Sequence, residues 1–192
     1  MITLVIVDVQ NDFISGTLRI EGARSILEPI KQFIKKNQSN IDKIIFTVDW
    51  HPYNHCSFKE NGGKWPQHCV QFTPGACIEP KLLKFVQALK IKYSVSTKGE
   101  LEYYEQYGAF DDIEYVQDGA LINRYYFDSV VEADADTDFV VCGIAGDYCV
   151  KATIQNMLKA DIYPSIFLEG IVSTTDNCGL VQFANDNSLK II

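Results

Sequence analysis

Along the chain, short apolar runs alternate with stretches whose apolar residues recur every three or four positions. The first run, Thr3 to Val9, is continuous, the pattern of a strand buried on both faces. From about Arg24 to Asn37, Ile26, Ile30, Phe33 and Ile34 fall on one face of a helix. A second strand spans Lys43 to Asp49, and a long loop follows to about Ile78. A second helix is expected from Pro80 to Lys90, with Pro80 in its first turn, where a missing N–H does no harm. Tyr93 to Thr97 reads as a third strand, and the aromatic-rich segment from Lys98 to Ser129 as irregular. A fourth strand, Asp138 to Ile144, leads into a helix from Tyr148 to Ala160 that turns Val150, Ile154, Met157 and Leu158 inward. A fifth strand is expected at Ile162 to Leu168 and a last helix around Leu180 to Asn185. Leu189 to Ile192 then forms a sixth strand at the sheet edge.

Alternating strands and helices predict an α/β fold: a three-layer α/β/α arrangement around a doubly wound, six-stranded parallel sheet of order 3-2-1-4-5-6. With 192 residues, no repeat and no low-complexity linker, residues 1–192 read as a single domain. In that order the first and fourth strands meet at the switch point, where ligands bind beyond the carboxyl ends of the strands.

Composition narrows the picture. The net charge of -8 disfavours a phosphate backbone, so no nucleic-acid partner is expected. No run approaches the roughly 20 apolar residues of a membrane span. The apolar start, Met1 to Asp8, has no basic leader and reads as a strand, so a cytoplasmic location is expected. None of the six cysteines forms a C-x-x-C pair, which excludes zinc-ribbon and thioredoxin motifs. They are expected as free thiols, and only Cys149 stands in a suggestive context.

That context is the rim of strand ends. The first strand ends at Asp8, the second at Asp49 and His51, and the third at Lys98. The fourth runs through Gly143-Ile144-Ala145-Gly146-Asp147-Tyr148-Cys149. Cys149 begins a helix, with Asp147 as its expected N-cap, and the free amides there favour a thiolate and a developing oxyanion. Asp8, at the end of an apolar run, needs a cation, and Lys98 is the candidate. So paired, Asp8 can take the thiol proton and return it to a leaving amine. Taken singly, Asp8 as a turn cap and Lys98 as a solvated lysine are equally good readings. Asp49 and His51, two apart in an extended segment, point the same way. With His68 they make a carboxylate and two imidazoles, a donor set for one divalent ion: zinc first, manganese or iron next. His55 ranks below His68 as a further ligand. Phe13, Trp65, Tyr103, Tyr104, Tyr107 and Phe110 supply aromatic surface for a flat ring, or simply cover a long loop.

The segments Val7-Asp8-Val9-Gln10-Asn11-Asp12-Phe13, Asp49-Trp50-His51-Pro52, Trp65-Pro66-Gln67-His68-Cys69-Val70, Lys98-Gly99 and Gly143 to Val150 resemble, in this order, the nicotinamidases of the isochorismatase-like cysteine hydrolase superfamily. The W-P-x-H-C-V segment is the most specific and marks the metal-containing branch. The resemblance implies a catalytic triad of Asp8, Lys98 and Cys149, and a metal held by Asp49, His51 and His68, with His55 joining only in some members. It implies an oxyanion hole from the amides of Ala145 and Cys149, with a cis peptide bond before Ala145. Phe13 and Trp65 match the residues that stack on the substrate ring, and Tyr107 is placed beside them. The implied reaction converts nicotinamide to nicotinate and ammonia through a thioester, a step of NAD salvage. No membrane partner is implied, and a homo-oligomer stays open. The chain departs from the family at Gly146, where threonine is common, and at Tyr107-Gly108-Ala109-Phe110, where Y-S-A-F is common. A related amidase for carbamoyl or ureido substrates, or a binding protein without turnover, are the alternative readings.

Overall fold

In the computed structural model, residues 1–110, 113–117, 120–124 and 137–192 are described. Strands β1 (Ile2–Val7), β2 (Ile41–Asp49), β3 (Lys92–Lys98), β6 (Asp138–Ile144) and β7 (Ser165–Val172) form one parallel sheet of order β3-β2-β1-β6-β7. The expected order holds for these five. β4 (Ile113–Gln117) and β5 (Ala120–Arg124) pair as an antiparallel hairpin inside the segment expected to be irregular.

Residues Leu4 to Val7 of β1 and Ile44 to Phe46 of β2 are at most 1% exposed, as a sheet covered on both faces requires. The covering helices are α2 (Leu27–Lys36), α3 (Pro80–Ala88) and α4 (Lys151–Lys159). The connections through α2 and α3 run toward β3, and that through α4 runs toward β7. Right-handed crossovers then put the two groups on opposite faces. α2 buries Leu27, Ile30 and Ile34, and Phe33 rests on Phe167 with 4.6 Å between ring centres. α3 starts at Glu79, whose carboxylate accepts from Leu82 N at 2.8 Å, with Pro80 in the first turn. A short α1 (Asn11–Ile14) follows β1, and α5 (Cys178–Asp186) follows β7.

Three expectations need correction. β7 begins and ends later than expected, because Asp161 to Pro164 form the exit from α4 and carry no ladder. The sixth strand is reduced to an isolated parallel bridge, Ile166 to Ile191. Three hydrogen bonds still lay the segment along β7: Ile166 N to Lys190 O, Ile192 N to Ile166 O and Leu168 N to Ile192 O. The helix expected from Tyr148 begins instead with a five-residue wide turn, Gly146–Val150, and becomes α-helical at Lys151. Among the described residues no helix is long and apolar enough to cross a membrane.

Candidate active site

Strand register brings the charged ends together. Val7 lies opposite both Thr47 and Gly143, and Asp49 lies directly opposite Lys98. Asp8 leaves β1 in the left-handed region (φ 51°), which aspartate tolerates better than most residues. It is fully buried, and Thr47 Oγ1 donates to its Oδ1 at 2.7 Å.

Lys98 is the hub. Its Nζ sits 2.8 Å from Asp8 Oδ2 and 3.5 Å from Cys149 Sγ, and it donates to Asp49 Oδ1. Burial opposes its charge, but Asp49 and Asp8 outweigh burial and hold the ammonium well above the usual lysine range. Burial pushes the Asp8 carboxyl up, Lys98 opposes this and Asp49 adds to it. Burial likewise raises the Cys149 thiol well above the ordinary range; Lys98 lowers it in part, while Asp8 and Asp49 push it higher, Asp8 also through a hydrogen bond. Enclosure and the two carboxylates thus work against the pull of the helix-start amides toward a thiolate, and a base is needed to take the proton.

The histidines divide by their pairing. His51 Nδ1 pairs with Gly99 O at 2.9 Å and His68 Nδ1 with Pro66 O at 2.8 Å. A carbonyl only accepts, so both Nδ1 atoms carry a proton, and in the neutral rings the Nε2 atoms keep the lone pair that a metal would take. Those Nε2 atoms lie 3.5 Å and 3.8 Å from Asp49 Oδ2. The three donor groups lie within 4.8 Å of one another, a spacing that suits metal–ligand bonds of about 2.0–2.2 Å to a single ion. The backbone carbonyls behind each imidazole orient it as ligating histidines require. Burial opposes the charge of Asp49, but Lys98 and His51 hold it well below the usual carboxylate range.

His55 is buried and stacked on His51 at 4.1 Å, yet both its nitrogens are in use. Nε2 pairs with Tyr104 O at 3.0 Å and Nδ1 with Ser57 Oγ at 2.7 Å. Burial, and then His51, pull its pKa down to about 4.

A cavity opens over this rim. Phe13, Trp65 and Tyr107 line it together with Asp49, His51, His68, Ala145 and Cys149. Asp8 and Lys98 lie beneath and reach it through Cys149 and Asp49. The Ile144–Ala145 peptide bond is cis.

Other residues were not legible as site residues. Leu18, Ile20, Glu105, Ile144, Tyr148 and Thr174 complete the lining. Gln10 fixes the backbone of Asp49 from both sides: its Nε2 donates to Asp49 O at 2.9 Å, and its Oε1 accepts from Asp49 N at 2.8 Å. Asp12 Oδ2 accepts from Cys69 N at 2.7 Å and so holds the turn after His68. The only local signal was polarity, Gln10-Asn11-Asp12, where an apolar strand ends.

The sequence departures also find reasons. A Cβ on Gly146 would come within 2.4 Å of Ser173 Oγ and 2.9 Å of Ile171 Cγ2, so these side chains fill the space of the usual threonine. A Cβ on Gly108 would come within 2.8 Å of the Ala152 backbone, which packs that segment directly on α4. Asp147 does not cap the helix; it lies inside the wide turn, and its carboxylate accepts from Thr174 N at 2.9 Å and from the Thr174 hydroxyl.

The profile of the isochorismatase domain matches residues 3–104. A nicotinamidase of Saccharomyces cerevisiae is 31% identical over 195 residues, covering 88% of this chain and 87% of the relative. The structure of PnC1 from L. infantum in complex with nicotinate superposes with a TM-score of 0.80 at 26% identity, over 100% of this chain and 92% of that one. The pyrazinamidase of Pyrococcus horikoshii in complex with zinc gives 0.76 at 26% identity, over 100% and 98%. On fold, motif order and identity together, this chain belongs to the isochorismatase-domain family, among the nicotinamidases.

Proposed function

We propose that residues 1–192 act as one domain that deamidates nicotinamide to nicotinate and ammonia, with Cys149 as nucleophile. The observation that carries the mechanism is the contact of one enclosed thiol with both a carboxylate and an ammonium, on the wall of a cavity that also presents the Nε2 atoms of two imidazoles.

The flat ring enters between Phe13 and Trp65, which line the cavity beside His68. Sγ of Cys149 attacks the carboxamide carbon as its proton passes to Asp8. Lys98 stays cationic and offsets the charge that moves between sulfur and carboxylate. The oxyanion forms against the amides of Ala145 and Cys149. The C–N bond breaks as Asp8 returns the proton to the leaving nitrogen; ammonia departs and a thioester remains. A water gives its proton to Asp8 and attacks the thioester, which releases nicotinate and restores the thiol. Asp49, His51 and His68 would hold one divalent ion, zinc by this donor set, which supplies a Lewis-acidic anchor for the ring nitrogen. The cytoplasm suits a nucleophile that must stay reduced.

Ammonia release from nicotinamide tests the reading, with Cys149→Ala and a chelator-treated sample alongside. Wild type turns over, the variant loses at least about a thousandfold while staying folded, and chelation weakens turnover. No release from folded, metal-loaded wild type overturns the proposal.

A further inference from the structure

One wall of the cavity is a set of three rings that hold one another. Trp65 Nε1 donates to the Tyr107 hydroxyl at 3.1 Å. Trp65 meets Tyr148 edge-on at 5.2 Å between centres, and Tyr148 meets Tyr107 at 5.5 Å. All three line the cavity, and none is fully buried. Tyr107 and Tyr148 also rest against the core, so the two tyrosines are the fixed side against which Trp65 is held.

Lys64 closes this set from outside. Its side chain lies at the surface, yet it does not extend into solvent. Its Nζ lies 4.5 Å from the centre of the Trp65 ring and 4.6 Å from that of Tyr148, and it donates to the Tyr148 hydroxyl. A surface lysine has much rotamer freedom to lose, so the Trp65 ring and the Tyr148 hydroxyl are what keep it there. Trp65 and Tyr148 are far apart in sequence, and this cation bridges them. It reaches none of the reacting groups.

We propose that Lys64 is a positioning residue that clamps Trp65 against Tyr148 and so fixes the width of the slot for the substrate's ring. This rests on the reading of the cavity as a nicotinamide site. The clamp acts on ring binding and not on the chemistry at Cys149, so it belongs to KM. Arginine can replace lysine here, because a guanidinium stacks on aromatic faces and also donates. Methionine keeps the length and loses both.

The test compares wild type, Lys64→Met and Lys64→Arg. With nicotinamide, Lys64→Met raises KM about three- to tenfold, the range of one or two lost cation–π contacts, with kcat within about twofold. Lys64→Arg restores KM. Lys64→Met also narrows the preference for nicotinamide over a ring-methylated nicotinamide. An unchanged KM, a fall in kcat alone, or equal losses in both variants overturns the clamp. A second measurement needs no turnover. The chain has two tryptophans, so in a Trp50→Phe background red-edge excitation, which tyrosine does not absorb, reports Trp65 alone. Acrylamide quenches it more in Lys64→Met than in the protein that keeps Lys64 or in Lys64→Arg. Equal quenching in all three overturns the clamp even if nicotinamide is not the substrate, and wild-type inactivity with the quenching difference intact overturns only the substrate reading.

Discussion

Strand interiors and strand ends are buried alike and are chemically opposite. Leu4 to Val7 and Ile44 to Phe46 are at most 1% exposed, and Asp8, Asp49 and Lys98 are 0%, 4% and 1% exposed. In the interior each side chain gains by leaving water, at about 25 cal/mol per Å² of apolar surface. At the ends each charge loses by it, and only the company of the others offsets the loss. Two carboxylates share one ammonium there, which leaves a negative excess. Asp49 accordingly raises the pKa of His51 against the pull of burial. A divalent ion between Asp49, His51 and His68 answers the same excess. The interior is stable residue by residue, whereas the rim is stable only as a set, and that makes it a place for chemistry.

Substitutions separate the two regimes. The largest effect is expected from Lys98→Met, which strands both carboxylates and costs about 3–5 kcal/mol in urea unfolding of the metal-free protein at pH 7. A loss below about 1 kcal/mol would mean the rim is not a set. His68→Ala removes one of three ligands and weakens zinc binding at least about tenfold, the scale of losing even a supporting group. Titration with a zinc indicator checks this, and unchanged affinity would remove His68 from the donor set. Ile45→Val, in the interior, costs about 0.5–1.5 kcal/mol and leaves kcat and KM unchanged; altered kinetics would show that the interior also sets site geometry. The last effect concerns pH. His55 folds with its pKa lowered to about 4 from 6.5, so its contribution is present above pH 6.5 and lost as the pH falls through about 4. Metal-free wild type therefore loses thermal stability relative to His55→Gln over that window, and parallel curves would refute the assignment.

The strands, their order and the charged residues at their ends were legible because each depends on local pattern plus one topological rule. Asp8, Asp49 and Lys98 each close an apolar run, and the parallel order makes those closures neighbours. His51 was legible as a candidate ligand for a similar reason, since D-x-H in an extended segment faces one way, and His68 was legible only as a second imidazole further along the loop. What stayed hidden depends on contacts across the chain. The partner of Asp147 is 27 residues away, and Gln10 and Asp12 act over 39 and 57 residues. The close packing of Gly146 on Ile171 and Ser173 is likewise a contact that no periodicity reports. Helix-start amides favour a thiolate, and the opposing push of burial beside two carboxylates is visible only in the fold.

Asp49 divides its two oxygens between different clients. One accepts from Lys98, and the other faces the Nε2 atoms of two imidazoles. An acid at this position therefore makes an arrangement that only a cation completes. An amide would behave otherwise: its oxygen would serve the lysine, and its NH₂ would donate to both imidazoles, closing the ring of hydrogen bonds without any ion. The single atom that distinguishes aspartate from asparagine decides whether this end of the sheet is a socket for a metal or a finished piece of architecture.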